Sequence, residues 1–334
     1  MDVDNNEIEM IFESLQIKIY NIIKIKTLVN FLFKVETDKN NYYVKIYEDL
    51  TQSRIGSKLA YLYPFLNENK IPVPKVVKYD DTLGLIKYPY IIITEIQGEM
   101  LCDVIGDMDD KEKLNIYNEF GKITAHIHSI TYNTFGEVFN DNLVDKYIEA
   151  NNKGPFGNWK NMHIEIIKHR LSLFKNSSFE DLIEPIFLWF DKNSNLIDYE
   201  ITPRLLHIDL NMKNILIKNN KISGVIDFDG AVIGHNEEEL MRIEGAHFSN
   251  NNVLKESFFK GYTDIINLDE NFEKRRIYYY FSRLLVHVGC IIEFGNNYSD
   301  VENDSRIARE EILKIFNNKE INFDKNNSSL LYFL

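Results

Sequence analysis

The stretch Leu205-Leu206-His207-Ile208-Asp209-Leu210-Asn211-Met212-Lys213-Asn214-Ile215-Leu216-Ile217-Lys218-Asn219-Asn220-Lys221-Ile222-Ser223-Gly224-Val225-Ile226-Asp227-Phe228-Asp229-Gly230 decides how the chain is read. An apolar run leads into His-x-Asp, Asn214 follows five residues after Asp209, and a second Asp closes a hairpin pattern. Asn219-Asn220 lies between two apolar runs and reads as a two-residue turn, because Asn tolerates the positive φ such turns demand. In that register Asn214 faces Val225. Side chains alternate along a strand, so Asp227 becomes the diagonal neighbour of Asn214, roughly 7 Å away between backbones. A carboxylate and an amide oxygen at that spacing suit Mg²⁺, which bonds oxygen at about 2.0–2.1 Å and keeps sites for water and substrate phosphate. Asp209 is left to receive the proton of an acceptor hydroxyl. This is the order of groups of a phosphoryl-transfer site. The turn, the closing Asp-Phe-Asp-Gly and an upstream lysine are independent requirements, which a chance His-x-Asp string does not meet together.

Composition sets the bounds. A chain of 334 residues that is 44% hydrophobic buries a substantial core, in two domains or one bilobal unit. Acidic residues outnumber basic ones, 51 to 38. That argues against a nucleic-acid surface and is compatible with a cationic small-molecule partner, or with plain solubility. Cys102 and Cys290 have neither disulfide-framework nor zinc spacing. The acidic start Met1-Asp2-Val3-Asp4 lacks the basic-then-apolar order of a signal peptide, and no apolar run approaches the ~20 residues of a membrane span. A reducing cytoplasm, with no membrane and no nucleic acid among the partners, is the expectation.

Ahead of the deciding stretch, Ile17 to Tyr47 alternates Ile, Tyr, Phe and Val in runs broken at Thr27–Asn30 and Asp38–Asn41, which predicts three antiparallel strands. A helix is expected over Thr51–Asn69, a buried strand over Tyr90–Glu95 and a linker at Ile96-Gln97-Gly98-Glu99. From Asp110 to Ile130 an i, i+3, i+4 stripe predicts a helix with His128 in the core, and Asn140 to Glu200 reads as a second helical stretch.

The chain resembles the aminoglycoside phosphotransferase and choline kinase family, small-molecule kinases sharing the protein-kinase fold. His207, Asp209, Asn214 and Ile226-Asp227-Phe228 carry the likeness, with weaker support from Ile71-Pro72-Val73-Pro74, Gly98, Gly121, His128, Phe135-Gly136, Trp159 and Gly261-Tyr262. The resemblance implies an α+β bilobal fold: residues 1–96 a small antiparallel-sheet N-lobe with one helix, and residues 97–334 a larger, mainly helical C-lobe carrying the catalytic and metal-binding segment 205–230. It implies a phosphotransferase that moves the γ-phosphate of ATP or GTP, with Mg²⁺, to a small-molecule hydroxyl. An aminoglycoside-like antibiotic is the leading acceptor and another hydroxylated metabolite the alternative.

By the same resemblance Asp209 is the base, and Asn214 and Asp227 hold the metal. Lys45 binds the α- and β-phosphates. Thr27 and Asn30 lie where the family covers the phosphates. Backbone near Glu95 and Gln97 meets the purine, which Leu216 and Ile226 floor. His207 orders the catalytic loop by hydrogen bonding. Glu237, Glu238, Glu239 and Glu293 fall where antibiotic kinases wall the acceptor site, although Glu237–Glu239 also reads as a solvated charge run. Two departures stand out. No glycine precedes Gly56, so there is no Gly-rich loop, and the helix after Lys45 has no early glutamate, which leaves Glu48, Asp49, or phosphate and Asp227 alone to hold the lysine. Two other readings compete: a protein kinase, weakened by the absence of Ala-Pro-Glu, and a non-catalytic nucleotide-binding interaction protein.

Overall fold

The computed structural model describes residues 3–26, 30–139, 143–248, 251–295 and 300–317. The chain opens with helix α1 (Asn5–Ser14), strands β1 (Ile19–Ile25), β2 (Phe31–Thr37) and β3 (Asn41–Ile46), and helix α2 (Ser53–Glu68). Strands β4 (Val76–Asp80), β5 (Tyr90–Thr94) and β6 (Glu99–Met100) follow, then helices α3 (Leu101–Val104) and α4 (Asp110–His128). Next come β7 (Gly136–Val138), β8 (Val144–Asp145), α5 (Trp159–Ser172), α6 (Ile183–Asn193) and β9 (Arg204–Leu206). The hairpin strands β10 (Ile215–Lys218) and β11 (Lys221–Val225) precede β12 (Val232–Gly234). Helices α7 (Asn236–His247), α8 (Asn252–Thr263), α9 (Phe272–Phe294) and α10 (Val301–Phe316) are the last elements of the described residues. No helix among the described residues is long and apolar enough to cross a membrane.

Contacts divide the chain into two units, the first made of Met1–Val104, Phe139–Leu143 and Asn214–Asp229. Its five-stranded sheet runs β1-β2-β3-β5-β4, every neighbour antiparallel. The period-2 pattern supplies the reason. Phe33 and Val35 of β2, and Tyr42, Val44 and Ile46 of β3, turn one way and bury with Ile8, Ile11 and Phe12 of α1. Lys45 therefore takes the opposite face of β3 from Val44, paired across to Leu32 and Ile91. A separate three-stranded sheet, β11-β10-β6, belongs to the same unit. The hairpin, expected with the C-lobe, thus clusters with the N-terminal residues instead. Pairing of β10 to β6 and a 2.7 Å bond from Val225 N–H to the Pro72 carbonyl attach it there. Gly98 makes the approach possible, since at φ +155° a Cβ would lie 2.8 Å from the Ile217 carbonyl oxygen.

The second unit comprises Ile105–Val138, Val144–Lys213 and Gly230–Leu334. A four-stranded sheet, β8-β7-β12-β9, meets a core to which α5, α6, α9 and α10 give Met162, Ile166, Phe190, Phe281, Leu285 and Ile312. The stretch expected to be helical over Asn140–Glu200 includes strand β8, because Val144 and Asp145 pair with β7. Helices α4 and α8 lie in close contact at two glycines. A Cβ on Gly121 would stand 2.0 Å from the Phe258 carbonyl oxygen, and one on Gly261 2.0 Å from that of Asn118. Backbone cannot yield as a flexible side chain does, so the helices would have to move apart. Gly121→Ala is expected to lower unfolding free energy by about 1–3 kcal/mol, read from urea unfolding, whereas Gly106→Ala, which meets nothing within 4 Å, serves as the tolerant control.

Candidate active site

The first unit contributes a lysine between two acids. Lys45 Nζ lies 3.0 Å from Asp227 Oδ1 and 2.7 Å from Asp229 Oδ1, with 14% of the lysine side chain exposed. Asp229 is thus the partner that the sequence reading lacked. Of the alternatives named there, Asp227 does meet the lysine, though not alone, whereas Glu48 is exposed and Asp49 Oδ1 accepts the Thr51 and Gln52 N–H groups at 2.7 and 2.9 Å. Burial pushes the Asp229 carboxyl above its ordinary value; Lys45 opposes this and the neighbouring charge of Asp227 adds to it. Burial likewise disfavours the Lys45 ammonium, but Asp229 and Asp227 together hold it well above its usual range. Tyr63 packs edge-on against Phe228, the residue between the two acids.

The hairpin forms around its expected turn, with φ of 52° at Asn219 and 55° at Asn220. Its register differs. Leu216 pairs with Gly224 but Ile217 with Ile222, so Ser223 is an extra residue and Ile215, not Asn214, faces Val225. Asn214 meets the other strand through its carbonyl, which accepts the Ile226 N–H at 3.0 Å. Asp227 then leaves strand geometry at φ 70°. Asn214 is buried, whereas 45% of the Asp227 side chain is exposed. The backbone bond to Ile226 joins Asn214 to the residue before Asp227, and a half-exposed carboxylate with an amide oxygen is a hard-oxygen set that fits Mg²⁺. No group of three His, Cys, Asp or Glu able to hold a metal occurs among the described residues, so a cation here would complete its shell with water and phosphate.

The other first-unit residues singled out are dispersed in role. Thr27 lies outside the described residues. Asn30 is half-buried just before β2, Leu216 is buried in β10, and Ile226 is half-buried after β11. Glu95 uses its side chain on Lys34 and Asn41, both at 2.7 Å, and donates its backbone N–H to the Asn41 carbonyl at 3.0 Å.

The second unit contributes the His207–Asp209 loop. Ile208 is held at φ 73°, a left-handed conformation that costs a β-branched residue on the order of 1–3 kcal/mol. Glu239 holds it there, accepting the Ile208 N–H on one oxygen and the His207 N–H at 3.1 Å on the other. Arg242 Nη1 bonds the Ile208 carbonyl at 3.2 Å. The Asp209 N–H donates to His207 Nδ1 at 3.2 Å, and Asn211 Nδ2 donates to Asp209 Oδ1 at 2.8 Å. Behind Glu239, a buried chain runs from Asn236 Nδ2 to Tyr262 Oη (2.8 Å), then His128 (2.9 Å), whose Nε2 lies 2.7 Å from Glu239. Burial alone would raise the Glu239 carboxyl; the hydrogen bond from His128 and the His207 contacts hold it below its ordinary value.

The acidic run is therefore neither an acceptor wall nor a solvated face. Glu239 is fully buried under the loop, Glu237 takes the Arg275 guanidinium at 2.7 and 2.5 Å, and Glu238 takes Arg170 at 3.3 Å. Three carboxylates on one helix turn go inside because a separate buried partner meets each one, and a sequence does not display those pairings. Glu293 is exposed.

Known proteins fit this geometry. The family described as "Phosphotransferase enzyme family" (APH) matches residues 29–253. No curated protein matches the chain in sequence. Among solved structures, aminoglycoside phosphotransferase APH(4)-Ia superposes with a TM-score of 0.68 at 15% identity, over 93% of this chain and 99% of that one. The streptomycin-ATP-APH(2'')-IIa ternary complex gives 0.66 at 18% identity over the whole of both chains. A putative fructosamine-3-kinase from Haemophilus somnus 129PT gives 0.63 at 17%, over 91% of this chain and 96% of that one. These likenesses establish the protein-kinase-like fold of small-molecule kinases. With two thirds of its length matched and its lysine, paired acids and braced His-x-Asp loop in place, the chain belongs to the phosphotransferase enzyme family.

Proposed function

We propose that this protein transfers the γ-phosphoryl group of ATP or GTP to a hydroxyl of a small molecule. The observation carrying the proposal is the meeting of Lys45 with Asp227 and Asp229, residues 182 and 184 positions away, on one buried-faced lysine. Lys45 would bind the α- and β-phosphates, Asp227 and the Asn214 amide would hold Mg²⁺, and Asp229 would keep the ammonium in place. Bound Mg²⁺ supplies charge neutralisation at the phosphate oxygens. With its N–H already committed, Glu95 would meet the purine through its carbonyl and Gln97 through its N–H, against Leu216 and Ile226. Asn30 would lie toward the phosphates.

Asp209 would orient the acceptor hydroxyl and take its proton as the acceptor oxygen bonds to phosphorus and the bond to the β-phosphate oxygen breaks. His207 and Glu239 act on Asp209 through the loop backbone. Such catalysis is positioning and electrostatics. An aminoglycoside-like acceptor, and with it a role in antibiotic resistance, has in its favour the ligands of the neighbouring structures and the exposed Glu293. The acidic run meant to receive its ammonium groups is committed elsewhere. Cys102 and Cys290, which form no disulfide, suit a reducing cytoplasm.

Labelled nucleotide and a panel of hydroxyl compounds test the reading. Asp209→Ala should keep nucleotide binding and lose turnover by about 10²-fold or more, and unchanged turnover would sink the base assignment. Asp227→Ala should lose Mg²⁺-dependent nucleotide binding. Glu239→Ala, which strands two loop N–H groups, should cut turnover while leaving nucleotide affinity intact.

Asp229 gives a prediction in which stability and turnover part company. Its carboxyl is raised above 3.8, so the ionised form is disfavoured in the fold. Its contribution to stability therefore falls as pH rises from about 3.8 through the raised value. Asp229→Asn should melt no lower than wild type at pH 7, lack that gain toward acid, and yet turn over at least about tenfold more slowly because Lys45 loses its nearer anchor. Lower thermal stability together with full turnover would overturn the assignment.

A further inference from the structure

The mechanism leaves three arginines of the second unit unused: Arg242 and Arg283, near Asp209, and Arg170, which shares Glu238 with Arg242. Arg242 on α7 bonds the carbonyl of Ile208, next to Asp209, and its Nη2 is 3.9 Å from Glu238 Oε1. Arg170 on α5 reaches the same Glu238 oxygen at 3.3 Å, Glu149 at 3.6 Å, and Ser282 Oγ at 2.5 Å. Arg283 on α9 follows Ser282 directly, and its guanidinium feels Arg242, Arg170 and Asp209. Among the described residues Arg283 makes no hydrogen bond or ion pair. Three N–H groups of the cluster, Arg170 Nε, Arg242 Nε and Arg283 Nη1, are out of reach of solvent and meet no acceptor. The carboxylates nearby are already engaged. Glu238 is shared by two arginines, Glu149 reaches Arg170, and Asp209 accepts from Asn211.

Burial and the charges of Arg242 and Arg170 bring the Arg283 guanidinium down to about 9, with Cys290 and, less, Asp209 pulling the other way. Arg283 is half-buried as a residue, yet a guanidinium whose sheltered N–H meets no acceptor is costly, and an anion presenting several oxygens removes that cost. Resting on the phosphotransferase reading above, we propose that Arg283, with Arg242 and Arg170, binds an anionic group beside Asp209, so that the acceptor is a hydroxylated small molecule bearing its own carboxylate or phosphate. A polycationic acceptor would place ammonium groups against these guanidiniums. The transferring phosphoryl group shares this anionic chemistry, and the test separates the two.

Arg283→Met keeps the aliphatic stem and removes the charge, and it should melt no lower than wild type because the unpartnered cation is gone. Sulfate, compared with chloride at equal ionic strength, should raise the melting temperature of wild type and of Arg283→Lys, but not of Arg283→Met; equal shifts in all three would overturn the site. Turnover is then measured on hydroxy acids, sugar acids, sugar phosphates and aminoglycosides. A hydroxylated acid should be phosphorylated, and Arg283→Met should raise KM for it about tenfold or more with kcat little changed. A loss confined to kcat would overturn the acceptor assignment and put the guanidinium on the transferring phosphoryl group. Phosphorylation of an aminoglycoside but of no acid would refute the inference and leave the phosphotransferase reading standing. Sulfate protection without transfer to any compound would instead support the anion site and defeat that reading.

Discussion

The buried carboxylate of Glu239 is what the catalytic loop rests on. Backbone at Ile208 adopts a conformation its β-branched side chain resists, and it does so because two consecutive N–H groups converge on one ion. That ion survives burial because His128, itself fixed by Tyr262 and Asn236, donates to it. Helix α4 and the neighbouring helices α7 and α8, more than a hundred residues later, thus brace one loop, and Asp209 inherits its orientation from them. The close contact of α4 with α8 at Gly121 and Gly261 belongs to the same construction, since α4 carries His128 and α8 carries Tyr262. Small residues at the crossing let two polar side chains meet in a dry interior.

The first unit solves a different problem with similar economy. A lysine on the face of β3 away from the core must be kept from solvating itself, and two carboxylates from the end of the hairpin do this. Attachment of that hairpin depends on modest features: the Pro72 carbonyl, the two residues of β6 and the absence of a side chain at Gly98. Several family positions that carry little information singly, Ile71-Pro72-Val73-Pro74 and Gly98 among them, acquire a physical meaning here.

Local patterns were readable from the sequence where one element determines them. The antiparallel strands before Tyr47, the α4 stripe and the Asn219-Asn220 turn all follow from side-chain period or from φ. Long-range pairing was not. Asp229 stood in plain sight two residues after Asp227, yet nothing local distinguishes a lysine's partner from a loop acid. The register slipped by one because Ser223 bulges, and no propensity marks a bulge of that kind. Glu237-Glu238-Glu239 misled most, since a run of like charge looks solvated unless His128, Arg170 and Arg275 are known to be waiting. Arg283 was invisible for the same reason in reverse, because its significance lies in what it fails to meet.

Two acids against one ammonium leave the Lys45 cluster with an excess of negative charge. On the proposed reading, a naked polyphosphate approaching that cluster would be turned away, and only one already escorted by a divalent ion would be admitted. The pair of aspartates would then act as a customs post, choosing the ionic form in which the cosubstrate arrives before any bond is made or broken.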